Sequence, residues 1–197
     1  MLKKISNFLF FIFFGVLASG IFFIWFDFKI KIELPISDFA GFVVDSNENI
    51  YIGDSFYSII QKYDKKGNFV ESIRVKNAGG KTFRMSIDGK NNIIIKSQID
   101  KNLILFPYYN RDKVSVIYNA NKDEKLRDVN KIFLTSKKQK FEDVGRLYPS
   151  IWKLSETKEK IVEQNFLLKF LSLPTMGIII LIVLIMKLTI FISKKKS

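Results

Sequence analysis

Four aspartates, Asp45, Asp54, Asp64 and Asp88, are the residues of this sequence best placed by type to do chemistry. Loop carboxylates can hold a divalent cation through oxygen ligands. Each of these four, however, stands in or beside a cluster of turn-forming residues. There Asp commonly accepts hydrogen bonds from nearby backbone N–H groups, and turn chemistry is the stronger expectation. No Asp-x-Asp-x-Asp-Gly loop and no phosphate-cradling glycine motif occurs. The chain has no histidine and no cysteine. That removes the commonest general base, the commonest metal ligand, thiolate metal sites and any disulfide framework. Serines are many, but without histidine the usual nucleophilic triad cannot be assembled. The sequence therefore points away from an enzyme and calls for no cofactor. A metal-assisted hydrolase is the weakest of the readings weighed.

A second group is basic. Lys131, Lys137, Lys138 and Lys140 lie close together, with Phe133 and Phe141 interleaved. Basic and aromatic residues mixed in this way suit an acidic polymer, against the plainer reading of a solvated loop. The formal net charge is +13. Residues 29–165 carry 25 Lys or Arg against 18 Asp or Glu, a balance of +7. Both signs are mixed along this stretch, as on an ordinary solvated surface.

The elements that must position these groups begin and end with apolar runs. Residues 5–26 are 22 in number and carry no charge. As a helix they would reach about 33 Å, enough for a hydrocarbon core of about 30 Å. Trp25 sits near the far end, where an indole suits the headgroup region. A cleaved signal peptide, with small residues at 18–20, would leave an apolar run at the new N-terminus, so an uncleaved anchor is expected. A second apolar run follows Phe170, with Pro174 in its first turn, where the missing N–H costs nothing. Lys187 interrupts it near one end, where a long ammonium side chain can snorkel to the interface. Positive charge near the ends of such runs marks the cytoplasmic side. Lys3 and Lys4 at one end, and Lys187, Lys194, Lys195 and Lys196 at the other, place both termini in the cytoplasm. The expected domains are 1–28, an N-terminal transmembrane helix; 29–165, an extracytoplasmic domain; 166–193, a C-terminal transmembrane helix; and 194–197, a basic tail.

The middle segment reads as repeated β-hairpins. Short β-rich runs at 41–44, 49–53, 58–63 and 68–73 alternate with the turn clusters 45–48 and 64–67. Four short antiparallel strands at this spacing make one propeller-like blade. Asp45 and 50–52 are echoed by Asp88 and 93–95, 43 residues on, within the usual spacing of blade repeats. Strands at 103–106 and 114–118 complete the second unit. A fainter third unit has strands at 131–135, 150–154 and 161–163.

The first unit resembles an NHL repeat, through Gly41, Val44, Asp45, Asn49, Ile50, Tyr51, Asp54, Ile60, Gln61, Lys62, Tyr63, Asp64 and Gly67. The resemblance covers 39–72 well and 83–118 less closely. It implies β-propeller blades acting as a binding platform. The family often has Gly where this chain has Glu48, so the first turn is expected to differ in detail. Some relatives are metal enzymes that use histidines, and nothing catalytic transfers to a chain without them.

The expected fold is mainly β: antiparallel propeller-like repeats, two to three blades and incomplete, between two transmembrane α-helices. Such an arc would expose an apolar blade face unless a second copy paired with it as a homodimer, or its strands formed an open or sandwiched sheet. The expected function is a membrane-anchored extracytoplasmic binding or scaffolding protein. Its partners would be the lipid bilayer and either a membrane protein or an anionic envelope polymer, with no nucleic acid. The alternative is an accessory subunit of a transporter or envelope-assembly complex acting through its spans.

Overall fold

The structure is a computed structural model. It describes residues 31–75, 83–88, 90–97, 103–106, 115–117, 132–134, 139–145 and 148–196, together with Phe8, Phe11, Phe14, Gly15 and Ala18; at 97, 103–106, 115–117, 132–134, 186, 190, 191 and 193–196 the backbone alone is described. The described part of the chain is mainly β and antiparallel.

Its strands form three four-stranded sheets, each a meander in chain order, which is the strand plan of a propeller blade. Sheet 1 contains β1 (Phe39–Val44), β2 (Ile50–Asp54), β3 (Ile59–Tyr63) and β4 (Phe69–Arg74). Sheet 2 contains β5 (Phe83–Ile87), β6 (Ile93–Ser97), β7 (Leu103–Phe106) and β8 (Ser115–Ile117). Sheet 3 contains β9 (Ile132–Leu134), β10 (Lys140–Val144), β11 (Ser150–Leu154) and β12 (Lys158–Glu163). Two helices follow, α1 (Phe166–Phe170) and α2 (Leu173–Lys196).

Sheet 1 lies between the other two. Successive side chains of a strand point to opposite faces, and in this sheet both faces are apolar. Ala40, Val43, Tyr51 and Ile60 pack with Phe83, Met85, Ile93 and Ile95 of sheet 2. Phe42, Val44, Ile50, Ile52 and Tyr63 pack with Phe141, Ile151 and Val162 of sheet 3. This explains why β2 is buried at every position and why its sequence does not alternate. Gly53 permits the close approach of sheet 2. A Cβ there would stand 2.9 Å from both Met85 Sδ and Phe83 Cε2.

The order of packing, sheet 3 on sheet 1 on sheet 2, differs from an arc that follows the chain. The outward faces mix polar and apolar residues where described: Ile94 of sheet 2 is half-buried and Val144 of sheet 3 is exposed. Arg84 and Lys96 of sheet 2 are exposed, while Lys160 lies over Trp152 and Lys158 pairs with Glu142 on sheet 3.

The three hairpin turns 45–49, 64–68 and 88–92 share one construction. In each, an Asp Oδ1 accepts the backbone N–H groups of the second and fourth following residues, and Oδ2 accepts the amide of an Asn. The residue before that Asn is left-handed: Glu48 (φ 66), Gly67 (φ 84) and Asn91 (φ 64). The expectation that Glu48 alters the first turn is therefore corrected. Glu48 takes the conformation that glycine would, and its carboxylate is held by Lys153 at 2.7 Å and by Gln139.

The two flanking spans are not carried by the structure. Among the described residues no helix is both long and apolar enough to cross a membrane. Most of 1–30 lies outside the described residues.

Candidate functional site: the junction where the chain enters and leaves the sheets

The strap 31–38 leads into β1 and is bound side-on to the sheets. Two buried glutamines hold it. Gln61 pairs with Leu34 in both directions, its Oε1 accepting Leu34 N–H at 2.9 Å and its Nε2 donating to Leu34 O at 2.9 Å. Gln164, at the end of β12, donates to the same carbonyl at 2.6 Å and accepts Ile36 N–H at 2.8 Å. Ser72 Oγ donates to Ile32 O, and the Tyr63 hydroxyl donates to Glu33. Burial and the neighbouring Glu33 carboxylate push the Tyr63 phenol well above its usual range. Gln61 and Ser72 are register partners on the face of sheet 1 turned toward sheet 3. The strap thus covers the part of that face left open by sheet 3.

Asp54, at the end of β2, is fully buried. Its Oδ2 accepts Ser37 N–H at 2.5 Å and Asp38 N–H at 3.0 Å, and Oδ1 accepts Tyr57 N–H at 2.9 Å. Removal from water pushes its pKa up to about 6. The three backbone donors pull the other way, and the nearby Asp38 carboxylate adds to the rise. Desolvation wins because no cation stands beside the carboxylate among the hydrogen bonds and ion pairs of the described residues.

The exit from the sheets meets the strap at the same place. Asn165 caps α1 by accepting Leu168 N–H at 2.9 Å. Ser37 Oγ accepts Leu173 N–H, the first residue of α2, at 3.1 Å. Tyr148, in the β10–β11 turn, bonds Thr175 at 2.7 Å, and Ser172 and Met176 are buried. The Asp-Asn turns lie at the opposite end of the stack: 45–49 and 64–68 close the hairpins at the ends away from Asp54, and Ser46 bonds Asn91 of the third turn.

The residues singled out from sequence scatter over these two ends. Asp45, Asp64 and Asp88 are turn builders, and the Asn68 amide holds Asp64 below its usual range. Lys140 opens β10 and is exposed. Lys131, Lys137 and Lys138 lie outside the described residues, as do Lys3 and Lys4. Lys187 is an exposed residue of α2, and Lys194, Lys195 and Lys196 end that helix. No group of three or more His, Cys, Asp or Glu that could hold a metal ion occurs among the described residues. Sequence reasoning missed Gln164 and Ser37. Their partners are 128 to 136 residues away, and no local pattern marks them.

The strand plan defines a mainly antiparallel β protein built of blade-like meanders. No family model matches the chain, and no curated protein matches it. Among solved structures it is similar to virginiamycin B lyase from Staphylococcus aureus, at 8% identity and a TM-score of 0.39. It is similar also to a catalytically inactive variant of that enzyme with quinupristin, at 10% and 0.39, and to a streptogramin B lyase, at 12% and 0.38. Each match covers 70% of this chain and 45% of the other. The chain thus spans less than half the length of these proteins. The likeness is too distant to carry an activity across.

Proposed function

We propose that this chain is a membrane-anchored extracytoplasmic binding or scaffolding protein, with its NHL-like sheets held at the bilayer by apolar helices on either side. The observation that carries this reading is the convergence of the two connections. The strap and the start of α2 meet at Ser37 and Leu173. A domain held between two spans needs both connections to leave from one side.

The character of α2 supports the same reading. Its 24 residues make a rod of about 36 Å. Ile178, Leu181, Ile182, Leu184, Ile185, Leu188 and Ile192 are all exposed. A run of exposed apolar side chains of this kind is stable only when something apolar surrounds it, and a bilayer supplies that. On this reading residues 5–26 form the partner span, and both termini are cytoplasmic.

The distal turns would then face away from the membrane and present the binding surface. The test is to place photo-crosslinking residues at Lys65 and Lys90, both exposed, in full-length chains in intact cells. A specific adduct that persists when both apolar helices are replaced by unrelated ones supports a platform. Adducts that vanish with the native helices would transfer the role to the spans, making the chain an accessory subunit of a membrane complex.

A further inference from the structure

The α1 helix is short, and its most exposed residues are its most apolar. Phe166 is 81% exposed and Leu167 62%, and the Phe166 ring stacks on Phe170 at 6.4 Å. Large apolar side chains bared together on a surface mark a contact site. Two further observations say what the contact is.

The first is rigidity. Only Leu171 and Ser172 separate α1 from α2, and the corner is closed by its own hydrogen bonds. Ser172 Oγ and Thr175 Oγ1 both donate to Lys169 O, at 2.7 and 2.6 Å, and Met176 N–H donates to Ser172 O at 3.1 Å. The bonds that Leu173 N–H donates to Ser37 and the Tyr148 hydroxyl donates to Thr175 then fix the corner to the sheets. Phe166 and Leu167 therefore keep a set position beside the first turn of α2. The exposed apolar run of α2 begins one turn later, at Ile178.

The second is charge. Glu163, just before α1, is paired with both Lys160 at 2.7 Å and Lys169 at 2.5 Å. Two ammonium groups to one carboxylate leave a positive excess next to the apolar pair. That combination, apolar residues flanked by lysine, is what seats a helix at the boundary of acyl chains and anionic headgroups.

We infer that α1 is an interfacial foot: Phe166 and Leu167 enter the outer leaflet at headgroup depth and hold the sheet stack upright against the bilayer, instead of letting it swing on a tether. The inference rests on the reading of α2 as a membrane anchor, so its test must separate the two.

The chain has no cysteine, so single-cysteine variants of the full chain can carry an environment-sensitive fluorophore at one place. Leu167→Cys, Phe166→Cys, Leu181→Cys in α2 and Lys65→Cys in a distal turn are all exposed positions, tolerant of a label. The variants are reconstituted in phosphatidylethanolamine–phosphatidylglycerol vesicles whose lipids carry quenchers at shallow or deep positions. The expected result is blue-shifted emission at 167 and 166 that shallow quenchers remove, deep quenching at 181, and neither at 65. Deep quenching at 181 with water-like emission at 167 and 166 overturns the foot and leaves the anchor standing. Water-like emission at 181 as well overturns both. Emission at 167 that is shielded from aqueous quencher but untouched by either lipid quencher means that a second copy covers α1, and this also overturns the foot.

Discussion

Replacing Asp54 by Asn probes the junction through its pH dependence. The folded-state pKa of Asp54, about 6, lies above its ordinary value of 3.8. Between these values the unfolded chain has released the proton and the folded chain still holds it. Stability is therefore highest in acid, declines as pH rises toward 6, and is level above that. The gap corresponds to about 3 kcal/mol at 1.36 kcal/mol per unit, of which about 2 falls above pH 4.5. Below pH 4.5 an opposite trend enters. Glu163, held down to about 2 by Lys160 and Lys169, contributes stability above its unfolded pKa that is lost as pH falls. The clean window is thus pH 4.5 to 7, and with no histidine in the chain little else titrates there. In that window the thermal midpoint of the β signal, followed by circular dichroism on the detergent-solubilised chain, should fall by roughly 5–10 °C. In Asp54→Asn the carbonyl oxygen keeps the Ser37 and Asp38 donors, while the amide faces Tyr57 N–H and loses that bond, at about 1 kcal/mol. The variant should start below the wild type at pH 4.5, show no slope, and meet or pass it at pH 7. A wild-type midpoint that is flat or rises across this window refutes the reasoning, as does a slope that survives the substitution.

Other substitutions probe the rest of the frame. Gly67→Ala should cost at least about 3 kcal/mol and lower the unfolding midpoint accordingly, because the residue is left-handed and its Cβ would stand 1.7 Å from Ile161 O on sheet 3. Gln164→Ala should cost about 1–3 kcal/mol in chemical denaturation, since the buried Ile36 N–H loses its acceptor; Leu34 O keeps its bond from Gln61. Asp88→Ala removes three hydrogen bonds from one turn and should lower stability by about 1–2 kcal/mol while leaving any crosslinked partner in place. Loss of the partner without loss of stability would give that carboxylate a role in binding.

The hairpins were legible because their signals are local. Asp at the head of a turn, a left-handed residue before Asn, and apolar runs on both sides recur at 45–49, 64–68 and 88–92. The strands of the first two units follow from them. The strand at 150–154 was legible from its likeness to the first unit. The strand β10 was not read as one. In KFEDV only Phe141 is buried, and the flanking lysines made the stretch look like a basic surface loop. The packing order was hidden as well, although β2 carried a trace of it: a run of five buried residues belongs to a sheet covered on both sides. The junction was beyond sequence reasoning, because Gln164 and Ser37 are ordinary polar residues until the fold brings Ile36 and Leu173 to them. Asp54 was noticed, but as one more turn aspartate. What separates it from Asp64 is burial, which depends on the strap lying across the sheet.

The central claim is that the junction end of the stack faces a membrane, with the Asp-Asn turns beyond it on the outer side. Single-cysteine chains bearing Lys65→Cys or Ser197→Cys, treated in whole cells with a maleimide too polar to cross lipid, test this most directly. The account predicts that position 65 reacts at once and that position 197 reacts only after the cells are permeabilised. Reaction at 197 in sealed cells, or protection of 65 until they are opened, would contradict it.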